Sequence, residues 1–444
     1  MRKAVLAAVV AAAAVGGVIL AVVLSGGSGG DAASEPSPTT GTGPQTATAG
    51  VTTRATTSGI PTRPGTTART PTTTAAAPPP PPRGPRAKTF VVGTVDDSLA
   101  QQDPRFARSQ VDVSHDTGFD AAAISAMWQR GQRRPPASLV RGLGNVSAAM
   151  RKDDMQLVVV VWHGLGRDTP QGPSDRADFA AYAGALVQSL PQIRAVIVGN
   201  EPNLSTFWKP QFGAAGSDLA ARSYADLLAR SYDAVKAARP AVLVLGGALS
   251  PRGGDRPGGS RPTHSPTAFI RDLGAAYRAS GRDRPLMDAF AFHPYMEASE
   301  DSPNARHPDN TTITLADYPK LVALLDQAFR GTAQQGARLP VYYTEFGVQT
   351  AVPAAKRSFY SNLASPARTD SVSFDTQAAY YRRALELAYC QPTVRGLFVF
   401  HTFDEGDLGG WQSGLYFADR TPKPSLPAFK RTVADLRNGR IHCR

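Results

Sequence analysis

Short apolar runs alternate with helical patterns along most of the chain. Eight runs are rich in alanine, β-branched and aromatic residues, which is typical of strands that are buried on both faces of a parallel sheet. Segments with apolar residues near i, i+3 and i+4 separate most of these runs and predict amphipathic helices. The predicted strands cover residues 90–95, 121–126, 156–162, 195–198, 242–245, 289–292, 341–344 and 396–400.

The helical patterns complete a repeat of strand and helix. They are clearest at 218–239 and 376–389, whereas the pattern at 98–111 is short and only loosely periodic. The repeat predicts an α/β fold, a closed (β/α)₈ TIM barrel. An open doubly wound sheet is the alternative, but it would place a glycine-rich phosphate loop after the first strand, where this chain has GTVDDSLAQQD. The remaining predicted helices cover 138–153, 177–190, 267–280, 315–330 and 425–438.

The residues before the barrel have a different composition. Arg2 and Lys3 precede an uncharged apolar stretch at 4–24, which is about as long as a bilayer-spanning helix. Segment 1–24 is therefore expected to be an uncleaved membrane anchor or a cleaved signal peptide. Residues 25–88 form a Thr/Pro/Gly-rich linker that is expected to be disordered. The rest of the chain is one domain, 89–444. Whether segment 1–24 is an anchor or a signal peptide, the domain is expected at the cell surface or in the extracellular space.

The cysteine usage agrees with export. The only two cysteines, Cys390 and Cys443, both lie late in the chain. An oxidising compartment favours a disulfide between them, which would hold the C-terminal tail against the preceding helix. Two unpaired buried thiols are the alternative.

The net charge of +12 does not indicate a nucleic-acid partner. Half of the excess lies in residues 1–89, and the rest is spread over the large domain without a basic run or an aromatic–basic motif. Membrane contact is expected only through the N-terminal segment, and the domain is expected to be a monomer. The sequence contains no recognised metal-binding or cofactor-binding motif, so no cofactor or metal is predicted. A loose cluster of His115, Asp116 and Asp120 leaves a metal site as the alternative to a solvated loop.

Polar and aromatic residues follow the predicted strands. In a (β/α)₈ barrel the functional residues lie on the loops at the carboxyl ends of the strands. All four tryptophans of the chain lie in these loops, which is typical of a site for flat, amphipathic ligands such as sugars. The predicted substrate-binding residues are Asn200, His163, His293, Tyr295, Trp128, Trp162, Trp208, His401 and Trp411.

Two glutamates end strands of the predicted barrel. Glu201 follows the fourth strand in VIVGNEP, and Glu345 ends the seventh in VYYTEFG. Two carboxyl groups that flank one bond are what glycosidic cleavage requires, since one protonates the leaving oxygen and the other attacks or stabilises the anomeric carbon. The alternative for each glutamate alone is a salt bridge at the rim of the barrel.

The order of these motifs resembles a known clan. Asn-Glu-Pro after strand four, His-x-Tyr after strand six and a glutamate on strand seven are similar to the pattern of (β/α)₈ retaining glycoside hydrolases, which include cellulase-like enzymes and β-xylosidases. The resemblance implies that Glu201 is the general acid/base and Glu345 the nucleophile. It further implies that Asn200 binds the sugar 2-hydroxyl and that Tyr295 donates a hydrogen bond to Glu345.

The end of strand eight departs from that pattern. The clan usually has a tryptophan there beneath the reacting sugar, whereas this chain has Phe400 and His401. Trp411, in the loop beyond, is the candidate replacement. The sequence therefore predicts an exported retaining glycosidase that acts on an oligo- or polysaccharide. A non-catalytic barrel that binds cell-envelope glycans, or a transglycosylase that uses the same site, is the alternative.

Overall fold

Eight parallel strands close into a barrel in which each strand pairs with the next and β8 pairs with β1. The structure is a computed structural model that describes residues 89–443 except residue 367. The predicted TIM barrel is confirmed, and the open sheet is excluded. The strands are β1 (Val91–Val95), β2 (Ala121–Met127), β3 (Gln156–Trp162), β4 (Ile193–Val198), β5 (Leu243–Leu249), β6 (Ala289–Phe292), β7 (Val341–Phe346) and β8 (Val394–Phe400).

A helix follows each strand and packs on the outside of the barrel. Seven of the eight predicted helices lie within a few residues of their expected positions. The first begins six residues later than predicted, because Asp103 caps its N-terminus and Pro104 occupies its first turn. The helices are α1 (Pro104–Thr117), α2 (Ala137–Met150), α3 (Pro173–Ser189), α4 (Leu219–Ala238), α5 (Pro266–Ala279), α6 (Tyr318–Phe329), α7 (Phe374–Cys390) and α8 (Leu426–Arg437).

The inside of the barrel holds small side chains facing a few aromatic rings. Alanines from β2, β4 and β6 pack there with Phe398 and Phe400 of β8. Gly93 on β1 provides the space for Phe398, since a Cβ at this position would lie only 2.4 Å from the phenylalanine ring. The same cluster extends to the partly buried rings of Tyr295 and Trp411. The packed interior thus ends at these two rings, where the strand-end loops begin.

The predicted disulfide is confirmed. Cys390, the last residue of α7, is bonded to Cys443 in the C-terminal tail. The predicted N-terminal segment 1–24 and linker 25–88 lie outside the described residues. Within residues 89–443, no helix combines the length and the hydropathy that crossing a bilayer would need.

Candidate active site

Glu201 is placed by a tight turn at the end of β4. Its backbone nitrogen donates to the carbonyl of Ala248 on β5, and its own carbonyl accepts from Leu204. Its φ of 36° lies in the left-handed region, which a side-chain-bearing residue rarely adopts unless its surroundings hold it there. The side chain is about nine-tenths buried. The turn therefore holds one carboxyl group at the barrel mouth.

Glu345 lies within β7 and faces Glu201 across a histidine. Tyr295, in the loop after β6, donates its hydroxyl proton to Glu345 Oε2 at 3.0 Å. His293, at the end of β6, has its Nδ1 atom 3.1 Å from Glu201 Oε1 and 3.5 Å from Glu345 Oε2. These four residues form one buried group, which we call the glutamate cluster.

The shared histidine sets an upper limit on the separation of the two glutamates. Since one nitrogen atom of His293 contacts both carboxyl groups, Glu201 Oε1 and Glu345 Oε2 can be no farther apart than the sum of the two distances, about 6.6 Å. In glycosidases, carboxyl groups about 5 to 5.5 Å apart accompany retention and those about 6.5 to 9.5 Å apart accompany inversion. A pair of carboxyl groups that one histidine nitrogen bridges is compatible with the shorter of the two spacings.

Burial and charge oppose each other within the glutamate cluster. Burial, together with the nearby charge of Glu201, raises the pKa of Glu345, and His293 and the Tyr295 hydroxyl partly offset this. Burial alone would lower the pKa of His293, but the charges of Glu345 and Glu201 outweigh it, and the pKa is raised. Burial beside Glu345 raises the pKa of Tyr295 well above its usual value, so its hydroxyl remains a donor. The two neighbouring carboxyl groups thus favour the charged form of His293.

Strand β8 does not end in a tryptophan, and Trp411 from the following loop lies next to the glutamate cluster instead. Its ring centroid lies 5.1 Å from that of Tyr295 and 5.6 Å from that of Phe400. The side chain is only partly buried, although its indole nitrogen is enclosed and has no hydrogen-bond partner in the described part of the chain. An aromatic surface from the loop after β8 therefore borders the glutamate cluster at Tyr295, and contact of Trp411 with a sugar stays a prediction.

His401 lies at the barrel mouth but is held by the protein on both sides. Its Nδ1 atom lies 2.6 Å from the carbonyl oxygen of Val95, and its Nε2 atom lies 3.2 Å from Glu405 Oε1. Burial would lower its pKa, but Glu405 and the more distant Asp96 outweigh burial and raise the pKa to about 9. The residue is therefore an imidazolium near neutral pH, and neither nitrogen is available to a substrate. The prediction that His401 binds substrate is therefore corrected, because the protein itself engages both ring nitrogens of this residue.

Two of the predicted tryptophans do not reach the cleft. Trp128 is 1% exposed, packs against Phe179 and donates its indole proton to Gln132 O at 2.7 Å. Trp208 is fully buried against Tyr224 and donates to Ser223 Oγ at 3.0 Å. Both belong to the core between the barrel and its helices. The prediction that they bind substrate is wrong, because their loops turn these side chains outward from the barrel axis.

Trp162 and His163 end β3 and are also buried. Trp162 packs on Phe207, and its indole nitrogen has no hydrogen-bond partner among the described residues. His163 Nε2 lies 2.8 Å from Phe207 O, and its ring meets that of Trp208 edge-on. Burial lowers the pKa of His163 to about 4, so the ring is neutral and donates this hydrogen bond. Both residues support the β4 turn, and direct contact with substrate stays a prediction.

The amide groups after β4 have different surroundings. Asn200 is half-buried directly before Glu201, in agreement with a position at the cleft, and its contact with a sugar stays a prediction. Asn203 is fully buried; it accepts from Ser250 N and donates to the Ser250, Arg252 and His264 carbonyls. Sequence reasoning missed this residue, which joins the loops after β4 and β5. The repeated asparagine in NEPN was the available signal.

The other histidines do not form a metal site. No group of histidine, cysteine or carboxylate residues that could hold a metal ion occurs in the described residues. Asp120, from the alternative cluster, accepts from Val92 N and from Arg437 instead. His264 is buried between Gln211 and Asp218.

Several solved structures of glycoside hydrolases have a similar fold. A family 39 glycoside hydrolase from the gut symbiont Bacteroides cellulosilyticus WH2 has a TM-score of 0.55 at 19% identity, over 80% of this chain and 65% of that chain. The β-glycosidase BGL167 has a TM-score of 0.52 at 17% identity, over 79% and 97%. A GH5_18 enzyme variant from Streptomyces cattleya, solved with Manb1-4GlcNAc, has a TM-score of 0.51 at 17% identity, over 78% and 80%.

These similarities establish the fold. This chain spans slightly less than two thirds of the length of the family 39 enzyme. No protein-family model matches the sequence, and a search of curated proteins finds no match. The (β/α)₈ barrel that the sequence predicts is thus also the fold of these three glycosidases.

Proposed function

We propose that the protein is an exported glycoside hydrolase that cleaves an oligo- or polysaccharide with retention of configuration. The carrying observation is the contact of one histidine nitrogen with both glutamates, which keeps their facing oxygens within about 6.6 Å. Retention requires the two carboxyl groups to be so close that no water molecule fits between the carboxylate and the anomeric carbon, and contacts to a shared histidine nitrogen favour such closeness. The glycosidase folds of the structural neighbours support the same reaction class.

The surroundings of the two glutamates support different roles. Glu345 accepts the Tyr295 hydrogen bond, which favours its ionised form and aims one oxygen, so it is the nucleophile. Glu201 lies on the turn at the rim, where a leaving group exits, so it is the acid/base. His293 contacts both residues and offsets their combined negative charge as a proton moves.

The reaction then has two balanced steps. Glu345 forms a bond to the anomeric carbon as the bond to the leaving oxygen breaks, and Glu201 gives its proton to that oxygen. Water next attacks the same carbon and transfers a proton to Glu201, while the bond to Glu345 breaks. Two inversions give net retention. The steps need no cofactor, and Trp411 offers the face on which the sugar stacks.

Azide rescue distinguishes the two roles. Glu345→Ala should be almost inactive on aryl glycosides, and azide should restore turnover to give a glycosyl azide of inverted configuration. Glu201→Ala should keep more activity on substrates whose leaving groups need no protonation, and azide should give the retained product. Glu300→Ala, at an exposed glutamate, is the matched control and should match wild type. Equal behaviour of the two active-site variants across leaving groups would refute this assignment.

We further propose that residues 1–24 deliver the domain to the cell surface or beyond. The bond between Cys390 and Cys443 supports this, because structural disulfides form in oxidising compartments. A protease added to intact cells that make the full chain should digest the domain or find it already in the medium. A domain that is protected until the cells are lysed would contradict export.

A further inference from the structure

Among the described residues, the loop after β7 carries the exposed large hydrophobic side chains. We call residues 347–373 the β7 loop. Phe359 and Leu363 are 57% and 55% exposed, and no other large hydrophobic side chain of the described residues is exposed to this extent. Clustered exposed apolar surface marks a site of interaction more often than single scattered residues do. These two side chains lie only four positions apart on one loop.

The surroundings of this pair are apolar as well. The polar side chains between them turn toward the loop after β8: Ser361 Oγ donates to Gly406 O at 3.0 Å, and Asn362 Nδ2 donates to Asp407 Oδ1 at 3.0 Å. Exposed small apolar residues flank the pair. They are Ala351, Pro353, Ala354, Ala355, Ala364 and Pro366. We call these six residues together with Phe359 and Leu363 the apolar patch.

The exposure belongs to a fixed backbone. Ser361 N donates to Gly406 O at 2.7 Å, and Leu408 N donates to Ser361 O at 3.2 Å. Tyr360, which lies between Phe359 and Leu363 in sequence, is buried and donates to Asp404 Oδ2 at 2.9 Å. Phe359 and Leu363 thus flank an anchored segment in sequence. Because the segment is anchored, their exposure is a property of the folded surface.

The chemistry of the patch favours lipid over sugar. Sugar sites combine aromatic faces with several convergent hydrogen-bonding groups. In this segment the side chains of Ser361 and Asn362 are exposed but already hydrogen-bonded to the loop after β8. Phenylalanine, leucine and small apolar side chains enter the acyl boundary of a membrane without such groups.

The charge of the β7 loop favours an anionic surface. The β7 loop contains three basic side chains and one acidic one, Asp370. Lys356 pairs with Asp419, and Arg368 pairs with Asp370. Arg357 has no carboxylate partner in the described part of the chain and donates to Leu363 O at 3.1 Å, beside the patch. Basic side chains next to inserted apolar residues are attracted to anionic lipid headgroups.

The β7 loop, which carries the patch, also reaches the candidate active site. The guanidinium of Arg368, in the same loop, lies 5.7 Å from the Trp411 ring. The proposed N-terminal anchor would keep the domain near a membrane, so that weak contacts are enough for docking. We propose that the apolar patch docks on an anionic lipid surface and turns the cleft toward glycans that are carried on lipid. The proposed lipid contact does not depend on the proposed glycosidase function, whereas the proposed substrate class rests on it.

A fluorophore attached next to the patch tests the lipid contact. Both native cysteines are in the disulfide, so an introduced cysteine is the only reactive thiol. Ser358→Cys places an environment-sensitive dye beside Phe359. Ser189→Cys, at the exposed end of α3 on the opposite pole of the barrel, is the matched control. The full chain is incorporated into phosphatidylglycerol/phosphatidylethanolamine vesicles, or into phosphatidylcholine vesicles, so that any contribution of residues 1–24 is equal in both labelled proteins.

The expected result is a severalfold rise and a blue shift of the dye emission at position 358 in the anionic vesicles, with little change at position 189. Phe359→Ser/Leu363→Ser should abolish the rise at position 358. Equal responses at the two positions, no response at either, or an equal response in phosphatidylcholine would overturn the proposal. A concentration-dependent response without vesicles would overturn it in favour of self-association.

Activity measurements separate this inference from the proposed function. Phe359→Ser/Leu363→Ser should leave kcat/KM on a soluble aryl glycoside within about twofold of wild type. On a lipid-linked oligosaccharide in anionic vesicles the same variant should lose at least fivefold. If wild type is inactive on every glycoside while the dye still reports lipid contact, only the proposed function fails. If the double variant changes kcat/KM equally on both substrates, the proposal that the substrate is lipid-linked is refuted.

Discussion

Two buried polar clusters lie in the loops at the same end of the barrel, and they differ in how fully their hydrogen bonds are satisfied. In the glutamate cluster, the two carboxylates contact only His293 and Tyr295 among the described residues. The second cluster, which we call the lysine cluster, consists of Lys423, Asp404, Tyr360 and Thr350, and it joins the β7 loop to the loop after β8. In both, a tyrosine donates to a carboxylate.

The lysine cluster leaves no group free. The three protons of Lys423 go to Asp404 at 2.7 Å, to Thr350 Oγ1 at 2.9 Å and to Gln412 O at 2.9 Å. Asp404 also accepts from Tyr360 and from Gly414 N. Such a saturated ion pair fixes architecture, whereas the carboxylate oxygens of the glutamate cluster keep capacity for a substrate. The two clusters are both buried and charged, so what distinguishes a cluster that can bind substrate is that its carboxylate oxygens can still accept hydrogen bonds.

Removing the buried lysine should have the largest effect on stability. Lys423→Met leaves Asp404 charged and unpaired in the interior, so the free energy of unfolding should fall by about 3 to 5 kcal/mol. Urea denaturation measures the loss. Lys423→Met/Asp404→Leu should recover most of it, because both buried charges are then absent. If the double variant is as unstable as the single one, the ion pair is not what holds these loops together.

The charge of His401 should make stability depend on pH. Its folded-state pKa of about 9 lies above the ordinary 6.5, so its contribution is complete below about pH 6.5 and is lost as pH rises through about 9. The free energy of unfolding should fall by up to about 3 kcal/mol across this window. His401→Gln should flatten the dependence, and His442→Gln, at an exposed histidine, should not. Parallel curves for wild type and His401→Gln would contradict the cationic assignment.

The two tyrosines provide a matched pair. A hydrogen bond to a charged group is worth about 1.5 to 3 kcal/mol. Tyr295→Phe should therefore lower kcat about 10- to 100-fold with little change in the melting temperature, because the hydroxyl serves the nucleophile. Tyr360→Phe removes the same atom from the lysine cluster and should lower stability by a similar free energy, with kcat per folded molecule unchanged. If both variants change the same quantity, the distinction between the clusters is wrong.

The sequence predicted one cluster and not the other for a physical reason. Glu201, His293, Tyr295 and Glu345 each follow or end a strand, and the symmetry of a barrel brings strand ends together. Lys423 lies in RTPKPS, which resembles an exposed loop, and its burial depends on partners from two loops that no local pattern specifies. The errors at Trp128 and Trp208 share this origin. Sequence placed both residues in strand-end loops, but only the folded loop determines which way a side chain points.

The smallest effect is expected at Trp411, and it tests whether an aromatic ring at the mouth serves the substrate or the fold. Aromatic contacts are worth about 0.5 to 1.5 kcal/mol, so Trp411→Leu should raise KM about 3- to 10-fold on aryl glycosides, with kcat within about twofold. Trp208→Leu is the matched control. Because Trp208 is fully buried, its loss should lower the melting temperature and leave KM unchanged. If Trp411→Leu instead behaves as the control does, its ring holds the loop against Tyr295, and the sugar must stack elsewhere in the cleft.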